Sequence, residues 1–286
     1  DLAGREVLVA IDQEGGRVAR LKPPHWPSFP AAGAFARLYE KAPMSAIEAA
    51  RANAEAMGLT LAEAGINMDF APVLDLAHEG AHEIVGDRSF GAEPIQVAAL
   101  GRAVLDGLAA AGIAGCIKHM PGHGRCPVDS HWTLPVVGAS REELEADFAP
   151  FRALASRAPA AMVAHILYTA LDPERPASIS PTIIAGLVHR ELGFDGLLLS
   201  DDIAMKALTG TPAETARAVV QAGCDLALHC SGDLGEMEEV AAAIGPLDEA
   251  AVARLDSAVA TPAPSSTNAV EALTAKRDAL LALAPS

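Results

Sequence analysis

Residues 196–202 read GLLLSDD, an apolar run that ends abruptly in a serine and two aspartates. Five further runs of this kind occur along the chain. All six are continuous rather than alternating, which is typical of parallel strands buried on both faces. Stretches rich in Ala, Leu and Glu separate them, so the rhythm predicts an α/β fold with a parallel sheet. The other runs cover residues 7–11, 68–74, 115–117, 160–167 and 225–228.

Polar residues follow nearly every predicted strand. In a closed barrel such strand ends meet at one mouth, whereas an open sheet concentrates them at its switch point. The pattern therefore favours a TIM-like (β/α)8 barrel. Only six strands are clear, so we expect the first β/α unit to be absent or altered, or a short strand near residues 241–244. The polar ends comprise residues 12–14, Asp75, residues 118–119, His165, residues 200–202 and His229.

Helix signals fill the spaces between strands and define the domain layout. Ser45 is a candidate N-cap for a helix over residues 45–64, and Ser140 with Glu143 forms a capping-box pattern. A Pro/Ser-rich linker precedes a last helix over residues 268–284. We expect a catalytic barrel domain over residues 1–260, with the linker and C-terminal helix of residues 261–286 packed on it. Further helices are expected over residues 96–111 and after Pro181 and Pro212.

The 286-residue composition excludes several classes of protein. With 51% hydrophobic and 20% charged residues the chain is not disordered, and with 4% aromatics its core must consist mostly of Ala, Leu, Val and Ile. The net charge of −16 argues against binding to nucleic acid or an anionic membrane. There is no apolar run of about 18 residues, and the polar start is unlike a signal peptide. We expect the four cysteines to be apolar fillers in a reducing compartment.

The stretch richest in reactive side chains is residues 116–131, CIKHMPGHGRCPVDSH, which leaves a buried strand and enters a Gly/Pro-rich loop. Asp129 can accept a hydrogen bond from one nitrogen of His131, so that the other nitrogen transfers protons near neutral pH. The alternatives are a turn beside a surface histidine, or a zinc site. The zinc-competent side chains are Cys116, His119, His123, Cys126 and His131, beside the positive charges of Lys118 and Arg125.

Two aspartates end the strand at residues 196–199. Because side chains alternate along a strand, Asp201 and Asp202 are not expected to face inward together. One carboxylate at the mouth suits a nucleophile, a base or a metal ligand, and the alternative is a helix N-cap. The H-E-x-x-H pattern at residues 78–82 needs a helix to bring its histidines together. Gly80 and the preceding strand predict a polar loop there instead.

The stretch 12–20, DQEGGRVAR, brings Asp12 to the mouth. Its two glycines let the backbone turn sharply, so that Arg17 and Arg20 fold back toward the pocket. A carboxylate and a guanidinium together suit sugar hydroxyls, because one accepts hydrogen bonds and the other donates them. Arg88 is another candidate for the mouth, with a surface salt bridge as the alternative. No G-x-G-x-x-G or Walker motif occurs, so nucleotide binding has little support.

Taken together these stretches resemble the family 3 glycoside hydrolases, and within them the single-domain bacterial β-N-acetylglucosaminidases of the NagZ type. The combination of KHMPGHG with DSH is the most specific part. The family normally has a further strand and helix before the first matching segment. In the family's order, the segments are IDQEGGRVARL, NMDFAPVLDL, GDRSFG, IKHMPGHG, DSHWTLP, MVAHILY, GFDGLLLSDDIAMKAL and AGCDLAL, which cover residues 7–208 and extend to about 228.

The resemblance implies a TIM-like barrel and a retaining hydrolysis through a covalent glycosyl-enzyme, with no metal or organic cofactor. Asp201 matches the nucleophile, His131 the acid/base group and Asp129 its carboxylate partner. The implied substrates are small glycans of cytoplasmic cell-wall recycling, either muropeptides or GlcNAc-anhydroMurNAc fragments. The residues that match those holding the N-acetylglucosamine unit are Asp12, Arg20, Arg88, Lys118 and His119.

Three alternatives stay open at this point. Phosphate in place of water as the acceptor makes the enzyme a phosphorylase. A non-catalytic sugar-binding module is a second alternative. The third is a metal-dependent barrel hydrolase or lyase that uses Asp201, Asp202, His119 and His165.

Overall fold

The computed structural model describes residues 7–80, 85–128, 132–260 and 268–284. Within them, one parallel sheet contains five strands in the order β1–β2–β3–β5–β7, and β4 pairs with β6 beside it. All pairings in both sheets are parallel, as the continuous apolar runs predict. The strands are β1 (Ala10–Ile11), β2 (Met68–Asp69), β3 (Ala114–Met120), β4 (Val136–Val137), β5 (Ala160–Val163), β6 (Leu167–Tyr168) and β7 (Leu197–Ser200).

The sheet continues past β7 through a bridge between Leu199 and Leu226. Ser200 donates its backbone N–H to the Leu226 carbonyl at 3.0 Å, so the run at residues 225–228 is a sixth strand-like segment. In the described part of the chain no ladder joins this segment to β1. The curled parallel sheet confirms the predicted α/β, TIM-like architecture, in the form of a half-barrel rather than a ring of eight strands.

Helices occupy the predicted places, with two corrections. The capping box is confirmed, because Glu143 donates its N–H to the Ser140 hydroxyl at 3.3 Å and Ser140 donates its N–H to the Glu143 carboxylate at 2.7 Å. Ser45 is not an N-cap, since the helix begins at Pro43, whose fixed φ suits a first turn. Residues 241–244 are helical rather than a strand. The helices are α1 (Ala32–Lys41), α2 (Pro43–Glu63), α3 (Pro94–Ala110), α4 (Arg141–Leu154), a π-helix (Thr182–Glu191), α5 (Pro212–Ala222), α6 (Leu234–Ile244), α7 (Glu249–Val259) and α8 (Val270–Leu281).

Apolar side chains cover both faces of the sheet, because successive strand residues point to opposite sides. On one face, Ile117 and Leu198 join the helices in the larger core cluster. On the other face, Cys116, Met162 and Leu199 pack with part of α7. Small residues dominate the helical layer, and the buried residues confirm a core built mostly from aliphatic side chains, with a few phenylalanines among them.

The last helix, α8, lies against α2. Leu273 is buried there, and Arg277 donates from Nη1 to Asn53 Oδ1 at 3.0 Å. The predicted linker at residues 261–266 lies outside the described residues. Across the described ranges, no helix is long and apolar enough to cross a bilayer.

Candidate active site

A cavity of about 250 Å³ opens at the carboxyl ends of the parallel strands. The strand ends meet there, as the polar residues after each apolar run predict. Asp129 and His131, the predicted acid/base pair, lie outside the described residues. The other six predicted site residues all line the cavity, and they are Asp12, Arg20, Arg88, Lys118, His119 and Asp201.

Asp201 follows β7 directly and is held through its backbone and its carboxylate. Its N–H donates to the Val163 carbonyl at 2.9 Å, and its Oδ1 accepts the N–H of Asp202 at 2.9 Å. Burial opposes ionisation of Asp201, but the nearby His119 and His165 imidazoles and the Asp202 N–H outweigh it and lower the pKa of the carboxyl. The carboxylate is therefore ionised at neutral pH and available to an electrophile in the cavity.

Buried charges of both signs form the floor of the cavity. Lys118 Nζ lies 2.9 Å from Asp12 Oδ1 and 2.7 Å from Glu14 Oε1, while Arg88 makes a two-pronged pair with Glu14 at 2.8 and 2.7 Å. Burial alone raises the pKa of Glu14, but Lys118 and Arg88 outweigh it and lower the pKa to about 2. Arg20 completes the group by donating to Asp12 Oδ2 at 3.2 Å.

His119 is oriented by a buried carboxylate. Its Nδ1 lies 2.7 Å from Asp75 Oδ2, and Asp75 Oδ1 accepts the backbone N–H groups of His119 and His123 at 3.2 and 2.7 Å. Burial opposes the charge on Asp75, but the two imidazoles and these N–H groups lower its pKa to about 2. Because the carboxylate accepts at Nδ1, the polar atom that His119 retains for a ligand is Nε2.

A second buried carboxylate holds the segment that leads out of β3. Asp147 of α4 accepts from Arg125 Nε at 2.6 Å and lies 2.7 Å from His78 Nε2. The Tyr168 hydroxyl donates to the Gly122 carbonyl at 2.8 Å. These contacts fix the residues that precede the predicted acid/base pair. His78 belongs to a non-helical loop, as predicted, and residues 81–84 of that pattern lie outside the described part.

Two sequence-based expectations need correction. Both Asp201 and Asp202 line the cavity, because β7 ends at Ser200 and strand alternation no longer applies beyond it. Asp202 Oδ1 accepts the N–H groups of Ala204 and Cys230, at 3.0 and 3.1 Å. Cys230 is exposed at the mouth and is not a core filler, in contrast to the other three cysteines.

The sequence assigned no role to Glu14, Asp75 or Asp147, although the first two stand in the polar strand ends. Each is almost fully buried and holds another site residue in place. Arg17 lines the cavity, as predicted, and pairs with Asp87 at 3.0 Å.

The zinc interpretation receives no support from the described residues, among which no group of three or more His, Cys, Asp or Glu side chains is arranged to hold a metal ion. Cys116 points into the apolar cluster on the other face of β3, as its strand position predicts.

Comparisons with known proteins find similar sequences and similar folds. The model of the glycosyl hydrolase family 3 N-terminal domain matches residues 2–261. A beta-hexosaminidase of Alkalilimnicola ehrlichii is 41% identical over 79% of this chain and 65% of its own length, and one of Bordetella avium is 36% identical over 80% and 66%. The chain thus spans slightly less than two thirds of these curated relatives.

Solved structures agree with the sequence relatives. NagZ from Neisseria gonorrhoeae, in complex with N-trifluoroacetyl-D-glucosamine, superposes with a TM-score of 0.85 at 33% identity, over 98% of this chain and 82% of that one. A family 3 β-N-acetylglucosaminidase from Paenibacillus superposes with a TM-score of 0.78 at 34% identity, over 95% and 50%.

Proposed function

The chain belongs to glycosyl hydrolase family 3, and from that premise we propose that it is a retaining exo-β-N-acetylglucosaminidase. The observation that carries the proposal is the carboxylate of Asp201 in the same cavity as the Asp12–Lys118–Glu14 cluster. The names of its relatives, beta-hexosaminidase and NagZ, support the same activity.

In the proposed reaction, Asp201 attacks the anomeric carbon of a terminal GlcNAc. A carbon–oxygen bond forms to the carboxylate while the glycosidic bond breaks, and the leaving oxygen takes a proton from His131. Water then attacks the anomeric carbon of the glycosyl-aspartate and gives a proton to His131. This step breaks the bond to Asp201, releases the sugar and restores the carboxylate. Asp129 orients His131 and favours its charged form.

In this proposal the sugar is bound by side chains that their neighbours already hold in place. Asp12 accepts hydrogen bonds from sugar hydroxyls, and Arg20, Lys118 and His119 Nε2 contribute further polar contacts. Arg88 also lines the cavity and contacts the sugar in this proposal, and it keeps the floor rigid by holding Glu14, and through it Lys118. Because these groups are held by ion pairs before the ligand arrives, little ordering is needed on binding.

The proposed substrates are muropeptides or GlcNAc-anhydroMurNAc fragments from cytoplasmic cell-wall recycling. The net charge of −16 supports a small glycan rather than nucleic acid or an anionic membrane as the partner.

Product analysis with an aryl β-GlcNAc substrate, with and without phosphate, tests the proposal. We expect free GlcNAc, released first as the β-anomer, at a rate that phosphate does not change. Release of GlcNAc-1-phosphate assigns the phosphorylase reaction instead, and tight GlcNAc binding without turnover assigns a binding module.

A leaving-group series tests the role of His131. The His131→Ala variant should lose about 10²- to 10⁴-fold in turnover of substrates with poor leaving groups and much less with good ones, because a good leaving group needs little proton donation. Equal losses for both kinds of substrate would exclude His131 as the proton donor.

A further inference from the structure

We propose that His165 is a positioning residue for the attacking carboxylate, acting through the backbone of Asp202, whose carbonyl fixes the tautomer of the ring, while Ser178 holds the ring in place. The inference rests on the proposed function, because it takes Asp201 as the nucleophile. His165 was considered above only as a metal ligand. The contacts of its ring assign it a different task.

Both nitrogens of the His165 imidazole have partners in the interior. Nε2 lies 3.1 Å from the backbone carbonyl of Asp202, and Nδ1 lies 2.6 Å from Ser178 Oγ. A carbonyl oxygen only accepts hydrogen bonds, so Nε2 carries the proton. Burial lowers the pKa of His165 and favours the neutral ring. In that form Nδ1 is an acceptor, and the Ser178 hydroxyl donates to it.

The ring is connected to the nucleophile through one residue. Asp202 donates its N–H to Asp201 Oδ1 at 2.9 Å, and its own carbonyl receives the proton of His165. Asp202 also accepts two backbone N–H groups on its side chain. With its N–H, carbonyl and carboxylate all engaged, Asp202 presents a fixed donor to the Asp201 carboxylate. His165 supplies the contact that comes from a neighbouring strand end.

Ser178 fixes the orientation of the ring, whereas the Asp202 carbonyl fixes its tautomer, because a carbonyl only accepts hydrogen bonds and a hydroxyl can donate or accept. Ser178 lies in the short 3₁₀ turn Ala177–Ile179, is fully buried, and donates its backbone N–H to the Ala164 carbonyl at 3.2 Å. Its hydroxyl is therefore held at the Nδ1 side of the ring. A Ser178→Ala variant removes that partner and lets the ring tilt, so that the hydrogen bond from Nε2 to the Asp202 carbonyl weakens.

A rescue series tests the inference. We expect His165→Ala to lower kcat by about 10²-fold, the size of effect produced by a displacement of about 1 Å at a reacting group. Glutamine places an amide N–H near the position of Nε2, whereas asparagine places it near Nδ1. His165→Gln should therefore recover at least about tenfold over His165→Ala, while His165→Asn should not, with KM changed less than about threefold throughout.

Two readouts separate positioning from general damage. The loss should be the same for good and poor leaving groups, because the nucleophile rather than the acid is affected. Nitrogen-15 NMR should show His165 as the Nε2-protonated tautomer in the wild type and in Ser178→Ala, with a shifted Nδ1 resonance in the variant, because Nδ1 loses the hydroxyl that donates to it. His189→Ala is the matched control: its Nδ1 lies 2.7 Å from the Phe194 carbonyl, outside the cavity lining, so kcat should not change.

Wild-type kcat in His165→Ala, equal rescue by asparagine and glutamine, or an Nδ1-protonated ring would each overturn the inference. If His165→Ala does not fold, the glutamine–asparagine pair and the NMR measurement decide. If Asp201→Ala is inactive and His165→Ala is fully active, only the positioning role of His165 is rejected. If Asp201→Ala is active, the proposed function itself is rejected.

Discussion

Glu14 and Asp75 are carboxylates that remain ionised although protein surrounds them. Burial raises the pKa of each, yet buried cations and N–H groups lower both to about 2. A group whose pKa is depressed on folding adds stability above its unfolded pKa, and that stability is lost as the pH falls toward the folded value. For Glu14 the contribution is on the order of 3 kcal/mol.

The free energy of unfolding should therefore decline as the pH falls from about 4.5 toward 2. Urea titrations at a series of pH values check this directly. A Glu14→Gln variant should be less stable at pH 7, because Lys118 and Arg88 lose their charged partner, and its stability should fall less steeply in acid. A decline as steep as that of the wild type would show that Glu14 is not responsible.

For single residues, the sequence identified those that face the cavity better than the buried carboxylates that hold them in place. Asp12, Lys118 and Asp201 stand directly at strand ends, so the topology alone brings them together. Glu14 and Asp75 stand in similar places, but their roles depend on which cation or imidazole lies opposite. The tertiary structure decides which group lies opposite each carboxylate, and no spacing along the chain reveals it.

Helix α4 and the segment after β3 are joined by one carboxylate. Asp147 receives Arg125 from that segment and lies against His78 from the loop after β2, with its own side chain about 1% exposed. An added Cβ at Gly122 would lie 2.9 Å from the Asp147 Cβ, so the backbone approaches α4 closely at this point. The contact therefore holds the segment around Gly122 and Arg125 against α4.

An Asp147→Ala variant should lower the free energy of unfolding by about 1.5–3 kcal/mol, because Arg125 and His78 both lose the buried carboxylate that they contact. Chemical denaturation measures the loss. Asp106→Ala is the matched control: that carboxylate pairs with Arg157 on the surface, so the loss should stay below about 1 kcal/mol. Equal losses in the two variants would contradict the buried role of Asp147.

The sequence predicted helices more closely than strands. Capping boxes and first-turn prolines are local signals, and they place α4 and α5 correctly. The run at residues 160–167 instead divides between β5 and β6, which belong to different sheets. An apolar run indicates that its residues are buried, but it does not show which strands pair. The residues between β5 and β6 are buried although they belong to neither sheet.

The whole molecule combines a half-barrel with a C-terminal helix that is too short to be stable alone. Twelve residues form α8, and an isolated helix of that length is marginal in water, so its packing against α2 must supply the stability. Leu273 and Arg277 are buried in this contact. The family domain ends at residue 261, before α8 begins.

A Leu273→Ala variant should lower the free energy of unfolding by about 2–5 kcal/mol through lost burial and the cavity left behind. Turnover should not change, because Leu273 lies outside the lining of the cavity. The more exposed Leu283→Ala is the control and should have little effect. A stable Leu273→Ala protein would mean that α8 is not held by this contact.

The attack of Asp201 on the anomeric carbon is the step on which the functional account depends. A mechanism-based fluorinated GlcNAc reagent, followed by peptide mass spectrometry, tests it most directly. We predict one sugar adduct on the peptide that contains Asp201 and no adduct or turnover in Asp201→Ala. A sugar on a different carboxylate, or normal turnover in Asp201→Ala, would contradict the account.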